Sequence, residues 1–388
     1  MSTGHHALST LRGKVLITGA TGFIGSRLCE VLALTGIAAA RAFVHSTAAA
    51  ARITRFPLDF AIGDLCDLSS VQRAMKGCDA VVHLARGGSQ VMRAGHENVL
   101  RAAVDQGVSR FVHISSVAVY GNNPPPESSS ETAPARQTDM EYGNQKLQQE
   151  KRVHHYGARR GLPFTILRPP NVIGPFSPFT LEVVKRIREG TLAIVDGGKN
   201  PCNLVYVDNL VEAILLALFE QKAIGNIFFV TDGGQLTWEQ FLNDHAALLG
   251  VSLARISVAD LVSKPGERLV RGSLREFPRV MLSGELRRVL RQIPAFRSFD
   301  GFLYSKFQSL PANIQQKIRQ RAQGPTVFRP PDGNSQVVYH RDNIHSAQCR
   351  TVAHSIEKAQ RFLGYKALVS YREGLELTEA WLRHSRFL

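Results

Sequence analysis

From Lys14 to about Pro175, short β-rich runs alternate with helical patterns, and that alternation constrains the fold more than any other feature of the chain. Val15-Leu16-Ile17 is strand-like, residues 24–35 are helical, Ala42-Phe43-Val44 is a strand and Val71 to Met75 a short helix. A strand at Ala80 to Leu84, a helix around Val99 to Gln106 and a strand at Phe111 to Ile114 follow. Strands separated by helices pair in parallel, because each crossover is long enough to hold a helix that covers one face of the sheet. The expected class is therefore α/β, a doubly wound parallel sheet. Pro124-Pro125-Pro126 and Ser128-Ser129-Ser130 interrupt the pattern with a loop, after which Glu141 to Tyr156 is helical and Phe164 to Leu167 extended. Past Pro175, strands at Leu204 to Val207 and Ile227 to Val230 are expected to return to the main sheet, with helices at Leu210 to Phe219 and Trp238 to Leu249 packed beside it.

The first strand runs into Thr18-Gly19-Ala20-Thr21-Gly22-Phe23-Ile24-Gly25 and then into a helix. Glycines there permit a tight turn and a close backbone approach to a pyrophosphate, while the helix N-terminus presents unpaired N–H groups to the anion. Gly63-Asp64-Leu65 after a second strand, and His83-Leu84-Ala85 at the end of the fourth, place two more signals at strand ends, where such sheets bind ligands. An acidic residue about 20 positions beyond the last glycine would hold the 2′-hydroxyl of NAD. That strand instead reads Arg41-Ala42-Phe43-Val44-His45-Ser46, so Arg41, His45 and Ser46 are candidates for the 2′-phosphate of NADP, and both cofactors stay open. The 388 residues suit two domains. We expect a dinucleotide-binding domain at 12–175 plus about 203–233, and a smaller interleaved substrate-binding region at 176–202 and 234–388 that includes a basic extension at about 255–345.

Ser115-Ser116 follows the strand ending at Ile114, and Tyr142-Gly143-Asn144-Gln145-Lys146 opens the next helix. Positions i and i+4 share a helix face, so the Lys146 ammonium is expected beside the Tyr142 phenol, lowering its pKa toward one that moves protons near neutral pH. Ser116 is placed to hydrogen-bond the oxygen where charge develops.

With these segments, and with Asn98-Val99, Arg168-Pro169-Pro170-Asn171-Val172-Ile173-Gly174-Pro175 and Val205-Tyr206-Val207-Asp208-Asn209-Leu210, the chain resembles the extended short-chain dehydrogenase/reductase family in its epimerase/dehydratase-like, 3β-hydroxysteroid-dehydrogenase-like branch. The likeness covers roughly residues 12–250 and returns at Phe362-Leu363-Gly364-Tyr365 through Trp381-Leu382. It implies a Rossmann domain with NAD or NADP at the carboxyl edge of the sheet, and a homodimer paired through helices of that domain. It implies Ser116, Tyr142 and Lys146 as the catalytic set. The cofactor would meet Gly19, Thr21, Gly22, Phe23, Ile24, Gly25, His45, Asp64, Leu65, Leu84, Ala85, Tyr142, Lys146, Pro169, Asn171 and Val172. The family's dehydratases carry acidic residues directly after the active-site Ser/Thr, whereas Val117 and Ala118 follow Ser116 here. Its nucleotide-sugar epimerases commonly place an arginine six residues before the residue matching Asp208, where this chain has Cys202, with Lys199 displaced by three. The loop from Ala85 to Asn98 is short for nucleotide-sugar enzymes and carries Arg86 where a small residue is common. The reading that results is an NAD(P)-dependent oxidoreductase acting on a secondary alcohol or ketone. The alternatives are a sugar or nucleotide-sugar epimerase that recycles tightly held NAD, and a non-catalytic dinucleotide-binding protein.

The formal charge of +15 is concentrated: residues 264–321 hold 13 Lys/Arg against four Asp/Glu. Leu274, Val280, Leu282, Leu286 and Leu290, with Arg275, Arg279, Arg287, Arg288 and Arg291 among them, predict basic amphipathic helices, which can lie on anionic lipid, gather anionic substrate, or cap the substrate cleft. No zinc finger or aromatic-interleaved basic run points to nucleic acid. The five cysteines are dispersed without a CxxC pair and His154-His155 has no companion at ligand spacing, so neither a disulfide framework nor a metal site is expected. No apolar run approaches the ~18 residues of a spanning helix, nor does the N-terminal lead have an export signal's apolar core. The expected location is the cytoplasm, with peripheral membrane contact as an open possibility.

Overall fold

The computed structural model describes residues 13–263 and 339–388. Seven strands form one parallel sheet: β1 (Lys14–Thr18), β2 (Ala40–Val44), β3 (Asp59–Ile62), β4 (Cys78–His83), β5 (Arg110–Ile114), β6 (Phe164–Arg168) and, later in the chain, β10 (Asn226–Phe229). Their order is β10-β6-β5-β4-β1-β2-β3, with every neighbouring pair parallel. Order reverses between β1 and β4, the switch point at which a doubly wound sheet opens a crevice at its carboxyl edge.

Alternating strand residues feed two cores. Val15 and Ile17 point to one face, where they meet Leu28 and Leu32 of α1 (Phe23–Thr35) and Ile214 and Leu218 of α6 (Val207–Phe219). Leu16 points to the other, with Val71 of α2 (Leu68–Met75), Leu100 of α3 (His96–Asp105) and Val153 of α4 (Glu141–Arg160). A strand buried on both faces needs apolar residues at every position, which is why these strands read as continuous rather than alternating runs. Each fully buried Leu, Ile or Val contributes about 1.5–3 kcal/mol.

A third cluster joins Val183 and Ile187 of α5 (Pro178–Arg188), Ile194 of β8 (Ile194–Val195), Trp238 and Phe241 of α7 (Trp238–Leu248) and Ile344 of α8 (Asn343–Gln348). Beside it β8 pairs in parallel with β11 (Arg255–Ile256). Helices α9 (Glu357–Leu363) and α10 (Tyr371–His384) close the chain. By contact density, residues 13–187, 192–260 and 342–388 make one compact unit. The described part of a second unit comprises 188–191, 261–263 and 339–341, with β12 (Val262–Ser263) parallel to β13 (His340–Arg341).

Two expectations are corrected. Leu204 to Val207 does not rejoin the main sheet: β9 (Leu204–Tyr206) pairs with β7 (Asn171–Ile173) in a separate ribbon, so only β10 extends the sheet. Gly63-Asp64-Leu65 follows the third strand, because β3 begins at Asp59, a polar edge residue that alternation of apolar residues does not reveal. The basic helices expected within 274–291 lie outside the described residues. Among the described residues no helix is long and apolar enough to cross a membrane.

Candidate active site

At the first crossover Gly19 adopts φ +71°, and a Cβ there would come within 2.8 Å of Ala85 N, so the turn after β1 lies directly against the end of β4. A Cβ on Gly25 would run into Gly19 O, so the first turn of α1 packs on the same loop. Gly22 caps α1 without a side chain, and no acidic residue occupies the first turn. The leading N–H groups of α1 are thus left to an anion, which suits a diphosphate. Thr21, Phe23 and Ile24 border this turn, half-buried.

The neighbouring strand ends carry the next predicted contacts. His45 is exposed just past β2. The Asp64 carboxylate accepts from Cys66 N at 2.8 Å, and Leu65 O accepts from Asn98 Nδ2 at 2.9 Å, which shapes the loop after β3. Leu84 N donates to Thr18 O at 3.2 Å, joining β4 to the glycine turn. Arg41 is absent from this edge. It lies opposite Asp59 in the strand register and donates to that carboxylate at 2.8 Å, to Ala74 O at 2.9 Å and to Lys76 O at 2.7 Å. As the second residue of β2 it stands nearer the amino edge of the sheet, away from any 2′-phosphate at the carboxyl edge.

Ser116, Tyr142 and Lys146 come together past β5. Ser116 leads a short turn, Val117 to Tyr120, with its hydroxyl accepting from Ala118 N at 3.1 Å. A Cβ on Gly143 would strike Ala118 O, so glycine at this point of α4 lets the helix press against that turn. The Tyr142 phenol is thereby brought to the Ser116 hydroxyl, and Lys146 Nζ reaches Ile114 O at 2.8 Å. Burial pushes the Tyr142 phenol above its ordinary value, against the pull of the Arg86 guanidinium and the Ser116 hydroxyl. Burial, reinforced by Arg86, draws Lys146 down to about 8, while Glu150 opposes this. The expected tuning of Tyr142 by Lys146 is therefore not the principal effect; the nearby cation that acts on the phenol is Arg86. Pro169, Asn171 and Val172 lie beyond β6, with Pro169 O accepting from Val117 N at 3.2 Å, so this segment is tied to the same turn.

Beneath these groups lies a feature that sequence spacing does not disclose. His83 on β4 and His113 on β5 are register partners, and His96 on α3 packs over them, with ring centroids 5.0–5.7 Å apart. All three are buried. His83 Nδ1 meets Thr18 Oγ1 at 2.8 Å and His96 Nε2 meets Gln149 O at 3.3 Å, while among the described residues His83 Nε2, His96 Nδ1 and both nitrogens of His113 have no hydrogen-bond partner. Ring nitrogens of the three fall within 4.8 Å of one another, which corrects the expectation that no ligands stand at metal spacing. No carboxylate belongs to the group, and the Lys146 charge acts on all three rings, so a dication there would meet like charge. Burial first, and Lys146 with it, holds them neutral, His83 at about 3. His154 and His155 are exposed, as expected.

Cys202 is buried and its thiol is pushed up by that burial, so position 202 offers no cation to a diphosphate. None of the five cysteines, all among the described residues, is in a disulfide. A cleft of about 380 Å³ between α1 and the Pro175-Phe176 segment includes Arg27, Arg52 and Asp208 but none of Ser116, Tyr142 or Lys146.

The model of the NAD dependent epimerase/dehydratase family matches residues 15–230. The chain is 30% identical over 240 residues to a 4-hydroxy-2-methyl-3-oxo-4-farnesyl-3,4-dihydroquinoline-1-oxide ketoreductase of Stigmatella aurantiaca, covering 59% of this chain and 71% of the relative. It is 26% identical over 253 residues to a UDP-glucose 4-epimerase of Vibrio cholerae, covering 61% and 76%. Among solved structures, a dTDP-glucose 4,6-dehydratase from Streptomyces venezuelae with NAD bound superposes at a TM-score of 0.65 and 22% identity, over 96% of this chain and 98% of that one.

Proposed function

The chain belongs to the NAD dependent epimerase/dehydratase family, whose enzymes use NAD or NADP, and from that premise we propose that it interconverts a secondary alcohol and a ketone of a small-molecule substrate. The observation that carries this reading is the meeting of the Tyr142 phenol with the Ser116 hydroxyl while Lys146 is anchored on Ile114 O.

The cofactor, when bound, supplies or accepts the hydride at the reacting carbon. In our reading the glycine turn at Gly19 to Gly25 and the open end of α1 hold its diphosphate, His45, Asp64 and Leu65 border its adenosine half, and Leu84, Ala85, Pro169, Asn171 and Val172 border the rest. Ser116 hydrogen-bonds the substrate oxygen and orients it toward Tyr142. In the reducing direction Tyr142 gives its hydroxyl proton to that oxygen as the new C–H bond forms, and regains a proton from solvent. In the oxidising direction it takes the proton back. Burial keeps the Tyr142 phenol protonated at neutral pH but makes it a weaker acid, and the Arg86 guanidinium and Ser116 hydroxyl pull it back toward the range in which it can give up that proton. Lys146, one helical turn from Tyr142 and anchored on Ile114 O, would hold the cofactor's ribose.

Val117 and Ala118 are buried and apolar, so the turn after Ser116 brings no second acid or base to the reacting carbon, and this supports simple hydride exchange over elimination of water. Epimerisation by transient oxidation uses the same three residues and is the second reading, supported by the relationship to the Vibrio cholerae enzyme. The test is to denature freshly purified protein, identify by mass any dinucleotide released, and titrate NADH and NADPH into whatever is empty. An empty site that binds one reduced cofactor is the expected result; stoichiometric retained NAD would overturn it in favour of epimerisation.

A further inference from the structure

Arg86 stands at the mouth of this site without an assigned role. It follows Ala85, the residue on which the Gly19 turn rests, and its guanidinium carbon lies 4.7 Å from the centre of the Tyr142 ring. A guanidinium over an aromatic face is held there by the ring's quadrupole without losing its hydrogen-bonding edge. Arg86 is exposed, and among the described residues it has no carboxylate partner. The contrast with Arg168 is direct, since that arginine is buried and bound by both oxygens of Glu150. A planar donor fork left open beside the reacting hydroxyl matches a carboxylate or phosphate.

We propose that Arg86 is an anion receptor of the substrate site, and that the preferred substrates are ketones or alcohols bearing a carboxylate or phosphate close to the reacting carbon, such as 3-oxo acids and the matching hydroxy acids. The proposal rests on Tyr142 being the group that meets the substrate oxygen. The cofactor's diphosphate is a second source of anionic oxygen, but the open end of α1 is already shaped for it, whereas Arg86 stacks on the tyrosine that faces the substrate. The apolar Val117 and Ala118 add no charge beside Ser116, which leaves Arg86 to select by charge at this mouth.

The test uses the purified full chain, 3-oxooctanoate and its methyl ester, with NADH and NADPH. Wild type is expected to favour the acid by about tenfold or more in kcat/KM, and Arg86→Gln to bring the ratio toward unity by raising KM for the acid, with Arg86→Lys intermediate. Equal use of acid and ester by wild type would overturn the proposal. So would an Arg86→Gln variant that loses reduced-cofactor affinity while keeping the acid preference, since the anion would then be the cofactor's. Calorimetric titration of 3-oxooctanoate into protein with oxidised cofactor separates this inference from the reading beneath it. Absence of turnover of either ketone counts against the reading of Tyr142, while Arg86 is still judged by binding. Tighter binding to wild type than to Arg86→Gln supports the receptor, and equal binding, or none to either, overturns it.

Discussion

Arg168 at the end of β6 holds Glu150 of α4 with two nitrogens, Nε at 2.9 Å and Nη2 at 2.6 Å, and both side chains are buried. Ser115 donates to the same carboxylate, and Arg168 Nη1 donates to the Tyr120 hydroxyl at 2.6 Å. Glu150 lies one helical turn beyond Lys146, so this network clamps α4 to the ends of β5 and β6 where the candidate residues converge. Replacing Glu150 by Gln leaves Arg168 buried without its counter-charge and is expected to cost about 3–5 kcal/mol, read as a lowered urea midpoint with unchanged slope. It also removes a carboxylate that supports the Lys146 charge.

Lys146 is held below its ordinary value, so the folded state disfavours its charged form. That cost is fully present below about pH 8 and is relieved as pH rises from there toward 10.5. Lys146→Met is therefore expected to be more stable than wild type at pH 7, by about 3 kcal/mol from the shift to about 8, and to lose that advantage by pH 10.5. Its activity should fall at the same time. Urea titrations of both proteins at pH 7 and 10.5 check the sign.

The three buried histidines work in the same direction on the acid side. Their folded pKa values are lowered, so the stability they contribute is complete above the ordinary value of 6.5 and is lost as pH falls below it, toward about 3 for His83. Among the described residues His113 has no hydrogen-bond partner on either nitrogen, and His113→Leu is expected to be neutral or stabilising at pH 7 and to flatten the loss of stability between pH 6.5 and 4. A parallel slope in the variant would show that His113 is not held neutral.

Gly143 stands between the two helical residues of the proposed set, against Ala118 O. Gly143→Ala should push α4 away from the turn after Ser116 and lower kcat by about a hundredfold, a cost typical of misplacing a reacting group by about 1 Å. Affinity for the cofactor, measured by fluorescence titration, should fall far less than kcat, because the glycine turn at Gly19 lies on other elements and only the Lys146 contact moves with α4.

Local signals are legible in the amino-acid sequence itself. Gly19, Gly22 and Gly25, and Tyr142 with Lys146, are each encoded within a few residues of one another, where turn chemistry and the helical repeat act directly. The alternation of strands and helices reveals the parallel sheet for the same reason. Features made by register are hidden: Arg41 faces Asp59 and His83 faces His113 only because β2 meets β3 and β4 meets β5 in those alignments. The departure of β9 from the main sheet is equally invisible, since an apolar run carries no mark of the strand it will pair with. Arg86 stands out from its neighbours in the sequence, but its place over Tyr142 depends on how α4 and β4 approach one another.

The most direct measurement is deuteride transfer in Tyr142→Phe. Wild type and variant would be incubated with 4-deuterated NADH or NADPH and a ketone that wild type reduces, and deuterium in the product alcohol followed by mass. The account predicts a rate about a hundredfold or more below wild type in the variant, with affinity for the reduced cofactor retained. Transfer at the wild-type rate by Tyr142→Phe would contradict the assignment of Tyr142 as the proton donor.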